Sequence, residues 1–169
     1  AGLNIEGALA FDEDRIRLFQ RGNAEACDGL DPVDATADFS WAALCAHLSE
    51  PDRCPPPALS EVRTYDLGTL DGVRLTFSDA EHVGEGRVLF SASAEDGESG
   101  RICGSVLGII DKDGEARWTH LSDFGPANAV GGVWEMPDLF ELPVDGDADD
   151  TRWVLVMNLN PGAVAGGSG

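Results

Sequence analysis

Positive charge is scarce in this sequence of 169 residues. Lys112 is the only lysine, and 11 Lys and Arg residues stand against 31 Asp and Glu residues, which gives a formal net charge of −20. Because so acidic a surface repels phosphate groups, we expect neither a nucleic-acid partner nor binding to an anionic membrane. A lysine-poor acidic surface suits a halophilic protein, since high salt screens its self-repulsion. An ordinary soluble acidic protein is an equally good interpretation.

Metal-binding and membrane-spanning patterns are also missing. The four cysteines, Cys27, Cys45, Cys54 and Cys103, form no Cys-x-x-Cys pair, so we predict no metal site, and nothing indicates a cofactor. Cys45 and Cys54 are close enough in sequence to bridge a short loop, and free thiols are the alternative. No apolar run is long enough to span a membrane and no signal peptide is visible, so the compartment stays open between cytoplasmic and secreted. No pattern indicates the oligomeric state.

Short strands dominate what is present. Polar and apolar residues alternate over 15–19, where Arg15 and Arg17 point one way and Ile16 and Leu18 the other, as in a half-buried strand. The acidic turn at 12–14 joins this strand to a preceding one in a hairpin. Further strands are predicted at 4–10, 61–67, 73–77, 87–94, 102–110 and 115–119, with the run at 87–94 buried and a turn at Asp71-Gly72. This spacing predicts an all-β sandwich, barrel or propeller.

One predicted helix interrupts this series of strands. Residues 38–48 are Ala-rich and carry an apolar stripe, and they lie between Asp31-Pro32 and the prolines at 55–57. Thr36 or Asp38 is the predicted N-cap. We predict one short surface helix in a long inter-strand loop, with His47 at its solvent edge.

A carboxylate with a stiff backbone near the C-terminus is the best candidate for chemistry. Pro137 restricts Met136 to extended geometry, so Glu135 lies on a rigid extended segment beside Trp134. Apolar surroundings disfavour the charged carboxylate, and a carboxyl that keeps its proton near neutrality can act as a general acid. The alternative is a solvated Glu at the end of a strand, with Trp134 in the core.

The segment 134–140, Trp-Glu-Met-Pro-Asp-Leu-Phe, resembles the acid/base motif of family 32 glycoside hydrolases, the β-fructosidases. The usual form is Trp-Glu-Cys-Pro-Asp, so Met136 stands where the family has Cys. Segments 117–126, 153–162 and 166–169 resemble the sequence around that motif, and the match covers about 117–169. The resemblance implies a five-bladed propeller, a fructoside substrate, Glu135 as general acid/base and Trp134 in contact with the substrate.

The rest of that family's catalytic set is missing. Its nucleophile lies in an Asn-Asp-Pro motif and a stabilising Asp in an Arg-Asp-Pro motif, and neither tripeptide occurs here. A retaining glycosidase needs two carboxyl groups about 5–5.5 Å apart. We therefore expect weak or absent turnover by this chain alone.

The N-terminal part of the chain resembles a different family. Residues 2–7, 18–23, 75–80, 89–96 and 104–108 are similar to a largely uncharacterised bacterial family of β-propeller type, over about 1–116. We therefore expect a composite chain: a propeller-like β segment at 1–116 and a glycoside-hydrolase-like β segment at 117–169, packed as one domain. A natural fusion, an engineered chimera or two mistaken resemblances would each produce this pattern. At about 40–50 residues per blade the propeller would be incomplete, or repacked as a smaller sandwich.

A second function class follows from the front resemblance, namely a non-catalytic propeller module that binds a small molecule or a partner. Asp79, Glu95 and Asp96 fall at predicted strand ends, and with Asn4 and Glu6 they would line a central channel. An acidic channel mouth suits Ca²⁺ or sugar hydroxyls. The alternative is that these carboxylates are solvated turn residues.

Overall fold

The computed structural model describes residues 3–97, 99–120 and 133–160, although the side chains of 120, 133–137 and 157–160 lie outside the described part. The first four strands form an antiparallel sheet in chain order: β1 (Ile5–Ala10), β2 (Arg15–Gln20), β3 (Asp34–Ser40) and β4 (Ser60–Tyr65). The helix α1 (Trp41–Ser49) connects β3 to β4. The next five strands form a second antiparallel sheet in chain order: β5 (Thr69–Leu70), β6 (Val73–His82), β7 (Val88–Glu95), β8 (Ile102–Ile110) and β9 (Ala116–His120). The chain continues into a hairpin of β10 (Val133–Val144) and β11 (Asp147–Asn160).

Two of the hairpins are closed by Asp-Gly turns. Asp71 and Gly72 have φ of 53° and 78°, and Asp145 and Gly146 have φ of 50° and 82°. A two-residue turn with positive φ at both positions matches the right-handed twist of the strands it joins, and Asp and Gly tolerate that conformation best. The predicted turn at Asp71-Gly72 is therefore confirmed.

Aromatic rings form the main core between the first two sheets. Phe19 on β2, Phe77 on β6 and Phe90 on β7 are fully buried. The Phe77 ring centroid lies 5.3 Å from that of Phe19 and 5.3 Å from that of Phe90, both edge to face. Burial of each such side chain stabilises the fold by about 1.5–3 kcal/mol, and each ring pair adds about 0.5–1.5 kcal/mol.

A second, smaller apolar cluster covers the opposite face of the five-stranded sheet. Leu89 on β7 and Leu107 on β8 pack against Leu139 on β10 and Leu155 on β11. The hairpin thus forms a third layer, and β7 is buried on both of its faces. This confirms the buried strand predicted at 87–94.

The prediction for the region around the helix was partly wrong. Residues 34–40 form strand β3, so the helix follows a strand directly and does not lie in a long loop. The N-cap is Ser40, whose Oγ accepts a hydrogen bond from the Ala43 amide at 3.1 Å, whereas Thr36 and Asp38 are buried in the strand. Strand β3 was not predicted, because several of its buried positions carry polar side chains. His47 is half buried, and its Nδ1 lies 2.7 Å from the Cys54 carbonyl oxygen.

Strand β2 has the predicted alternation, but the face that carries Arg17 is the more buried one. Arg17 is buried together with Phe19, while Ile16 and Leu18 are only half buried. Arg17 Nε and Nη2 donate to the two carboxylate oxygens of Asp38 at 2.7 and 2.9 Å. This ion pair lets a charged residue occupy the core side of the sheet.

The all-β class with one helix is confirmed, but no propeller is detected among the described residues. They form open antiparallel sheets and a packed hairpin. All four cysteines are free, so Cys45 and Cys54 form no bridge. Among the described residues no helix is long and apolar enough to cross a membrane.

Candidate functional site

Strand β10 places the backbone of the predicted catalytic segment beside β11. Glu135 pairs with Asn158 and Asp138 pairs with Val156, so three steps along β10 match two steps along β11. The extra residue makes a β-bulge that contains Pro137, which has no N–H to donate to a strand ladder. Bulges redirect neighbouring side chains and are frequent beside active sites.

The side chains of Trp134 and Glu135 lie outside the described part of the structure. The general acid/base role of Glu135 and the substrate contact of Trp134 therefore stay predictions. Asp138, the first described side chain of this segment, is exposed to solvent.

A cavity of about 570 Å³ lies between the five-stranded sheet and this hairpin. Its walls are mainly aliphatic and come from β7, β8, β10 and β11: Leu89, Leu107, Ile109, Leu139 and Leu155. Ligand pockets of proteins have volumes of about 300–1,000 Å³ and are mostly apolar with a few polar groups. The cavity therefore has the size and the walls of a small-molecule site.

Strand β9 borders the cavity through residues 117–119. Trp118 pairs with Gly108, which pairs with Phe90, so the Trp118 side chain lies on the main-core side of the sheet, where its Nε1–H donates to the Leu67 carbonyl oxygen at 2.8 Å. This hydrogen bond satisfies the only polar atom of the indole and fixes the ring. The side chains of Arg117 and Thr119, which alternate with Trp118 along the strand, lie on the cavity side.

Two guanidinium groups supply the charge at the cavity. Arg87 pairs with Glu85 at 3.3 Å and Arg117 pairs with Asp111 at 3.7 Å. The amides of Glu115 and Asp113 donate to Asp111 and hold the pKa of that carboxyl below its ordinary value, so Asp111 stays ionised at neutral pH. No Asp or Glu is among the described residues that line the cavity.

The acidic channel predicted for the front half is replaced by an ion-pair cluster. Arg21 lies 3.5 Å from Glu6 and 2.9 Å from Glu95, so two of the predicted carboxylates do converge, but on an arginine. Asp79 accepts from the Ala80 amide, Asp96 accepts from the Ser99 amide, and the Asn4 side chain bonds to Asn23. Within the described ranges no group of three or more His, Cys, Asp or Glu side chains is placed to hold a metal ion.

A row of buried hydroxyl groups crosses the five-stranded sheet and was not predicted. Ser93 Oγ lies 3.1 Å from Ser78 Oγ and 2.9 Å from Ser105 Oγ, while Ser91 Oγ is buried without a hydrogen-bond partner. The alternation of Ser with Ala at 91–94 is the sequence signal for this row, because in a strand it places all the hydroxyls on one face.

The cavity was missed because distant segments build it. Its only sequence signal is Leu89 in the predicted buried strand, since this leucine lies on the face opposite Val88 and Phe90 and needs a covering layer of its own. This signal does not show which segment supplies that layer.

Comparisons with known proteins give two kinds of match. The model of a family of unknown function, DUF6910, matches residues 1–134. Levanase of Bacillus subtilis is 54% identical over 54 residues, which are 31% of this chain and 8% of the levanase. An extracellular exo-inulinase of Aspergillus niger is 51% identical over 65 residues, or 37% of this chain and 12% of that enzyme. Invertase of Schizosaccharomyces pombe is 43% identical over 51 residues, or 30% of this chain and 9% of the invertase.

These matches confirm a partial relation to the β-fructosidases and limit its extent. The matched part spans only about a tenth of the length of these relatives. The family match to residue 134 extends beyond the predicted boundary between 116 and 117, and that boundary stays a prediction.

Proposed function

We propose a function for this chain from its partial relation to the β-fructosidases. The chain belongs to the family of unknown function DUF6910. It is a β-fructosidase-related protein in which Glu135 acts as general acid/base on a fructoside and Trp134 contacts the substrate. The supporting observation is the 54% identity to levanase over 54 residues, together with the Trp-Glu-Met-Pro-Asp segment itself. Glu135 would protonate the leaving glycosidic oxygen and then activate water.

Turnover by this chain alone is expected to be weak or absent. The mechanism needs a second carboxylate about 5–5.5 Å from Glu135 as nucleophile. Neither family motif that supplies the other carboxylates occurs in the sequence.

The test is hydrolysis of sucrose and of a fructan, followed as release of reducing sugar, at low and at multimolar salt. Glu135→Gln removes the proton-transfer group at nearly constant volume and should abolish any turnover. Glu141→Gln is the matched control, because Glu141 lies on the same strand and is exposed. Turnover that survives Glu135→Gln would overturn the proposal.

The cavity favours a second candidate function, a non-catalytic β module that binds a small molecule. Its aliphatic walls do not match the hydroxyl groups of a sugar, which need hydrogen-bonding partners. Absence of turnover in a folded sample at both salt concentrations would favour this function over hydrolysis.

A further inference from the structure

We propose that the cavity between the five-stranded sheet and the β10–β11 hairpin binds a small amphipathic anion, with an apolar tail and one carboxylate head. The inference rests on the second candidate function, small-molecule binding, and does not depend on catalysis by Glu135.

The aliphatic walls of the cavity favour a ligand with an apolar tail. Leu89 and Leu107 form the floor on the sheet side, and Leu139 and Leu155 form the roof on the hairpin side. An aliphatic cavity holds water poorly, because each water needs two to four polar partners. An alkyl chain or an apolar ring makes only dispersion contacts there and leaves no polar group unsatisfied.

Arg87 and Arg117 favour a ligand with a carboxylate head. Arg87 directly precedes β7, and Arg117 on β9 lies opposite Ile109 on β8, so both guanidinium groups border the same aliphatic floor. A guanidinium group offers a planar fork of donors that fits a carboxylate.

The present partners of these arginines are displaceable. Arg87 and Glu85 are 48% and 84% exposed, and the contact between Arg117 and Asp111 measures 3.7 Å. Ion pairs between such solvated groups are weak, so a ligand carboxylate that brings its own buried tail can compete for the same donors.

The net charge of the chain makes this preference informative. At −20 the molecule as a whole repels anions, so an anionic ligand is favoured only where arginines are concentrated. A cation would gain from the overall field but would face the two guanidinium groups at the cavity. The two guanidinium groups therefore predict that an anion binds more tightly than a cation, whereas the net charge of the chain predicts the reverse.

The experiment is isothermal titration calorimetry of the full chain with sodium decanoate below its micelle-forming concentration, beside decanol and decylammonium. All three probes share one tail, so differences in affinity report the head. We expect decanoate to bind at least about tenfold more tightly than decanol, because one charge-assisted hydrogen bond corresponds to about that factor, and decylammonium to bind most weakly.

Two variants separate the head from the tail. Arg87→Gln/Arg117→Gln should reduce decanoate affinity to that of decanol, whereas Leu139→Phe should weaken both probes by filling the cavity. Arg53→Gln is the matched control, since Arg53 is 82% exposed and lies in the turn that follows the helix. Near-ultraviolet circular dichroism verifies that each variant is folded.

Each remaining outcome contradicts the proposal. Equal affinity for decanoate and decanol, or unchanged decanoate affinity in the double arginine variant, would overturn the anionic head. No binding of any probe to the folded protein would overturn the ligand site and small-molecule binding at this cavity, while the sugar-release assay would still decide hydrolysis independently.

Discussion

The ion pair between Arg17 and Asp38 allows a charged face of strand β2 to be buried. Asp38 is fully buried, and its carboxylate raises the pKa of the Arg17 guanidinium through their hydrogen bonds. The Arg17 guanidinium also lies 4.0 Å from the centre of the Phe11 ring. Buried charge is stable only with such partners, so the two residues depend on each other.

Removing one member should be far more damaging than removing both. Arg17→Met leaves the Asp38 carboxylate with only the longer contact to Arg15 at 3.6 Å, so we expect a loss of about 3–5 kcal/mol in the free energy of unfolding. Arg17→Met/Asp38→Leu should recover most of that loss. Urea denaturation measures both, and a double variant with the summed destabilisation of the two single variants would contradict the coupling.

Arg53→Met serves as the control for this cycle. Arg53 pairs with Glu50 on the surface and should change the free energy of unfolding by less than about 0.5 kcal/mol.

Asp34 connects the two sheets through a buried carboxylate. It accepts hydrogen bonds from the amides of Gly22 and Phe77 at 3.1 and 2.8 Å and pairs with Arg74 at 3.0 Å. Burial nevertheless raises the pKa of this carboxyl above its ordinary value, because loss of hydration outweighs these contacts. The native state therefore takes up a proton here more readily than the unfolded chain does.

The pH dependence of stability follows from that direction. As pH falls through the raised pKa towards the ordinary value, protonation favours the native state, so the wild type should gain stability relative to Asp34→Asn, which cannot titrate. Thermal unfolding of both proteins between pH 7 and pH 4 measures the difference. A difference that is constant, or that moves in favour of Asp34→Asn, would contradict the raised pKa.

At the scale of elements, Gly108 allows β8 to fit between its neighbours. A Cβ atom there would collide with the Phe90 ring and would lie 2.6 Å from the Arg117 carbonyl oxygen. Both contacts belong to the packed interior of the five-stranded sheet, so neither can shift freely.

Gly108→Ala should therefore destabilise the protein by about 1–3 kcal/mol or more, as overpacked cores do. Gly97→Ala is the matched control, because nothing lies within 4 Å of its Cβ position, and it should change stability by no more than about 0.5–1 kcal/mol. Comparison of the two urea midpoints tests the packing. Equal midpoints would show that the sheet relaxes around the added methyl group.

The elements found from sequence are those that local patterns determine. Alternation and turn residues located β1, β2, β4 and β6 to β9, and the segment at 87–94 was predicted to be buried, as β7 is. Strand β3 was missed because its buried positions include Asp34, Thr36 and Asp38, whose partners lie on other strands. The cavity was missed for the same reason, since four separate strands supply its aliphatic walls.

At the scale of the whole molecule, charge is the dominant feature. A formal net charge of −20 on 169 residues disfavours the compact state through self-repulsion. Salt shortens the screening length from about 10 Å at 0.1 M to about 3 Å at 1 M.

Added salt should therefore raise the melting temperature. Between 0.1 and 1 M NaCl we expect an increase of about 3–6 °C, which corresponds to about 1–2 kcal/mol for a chain of this size. A variant with fewer exposed acids, Glu13→Gln/Glu25→Gln/Asp52→Asn, should show a smaller increase, since it has less repulsion to screen. Differential scanning calorimetry measures both slopes, and equal slopes would assign the increase to a general salt effect on apolar burial.

The second apolar cluster has a consequence for the way the molecule unfolds. Leu89 and Leu107 lie within the part that matches the DUF6910 family, whereas Leu139 and Leu155 lie beyond residue 134, where that match ends. Residues inside and outside the family match thus share one desolvated interface. Separating the hairpin from the sheet would expose these four leucines to water, so the two parts stabilise each other. The hairpin and the sheet are therefore expected to unfold in one cooperative transition.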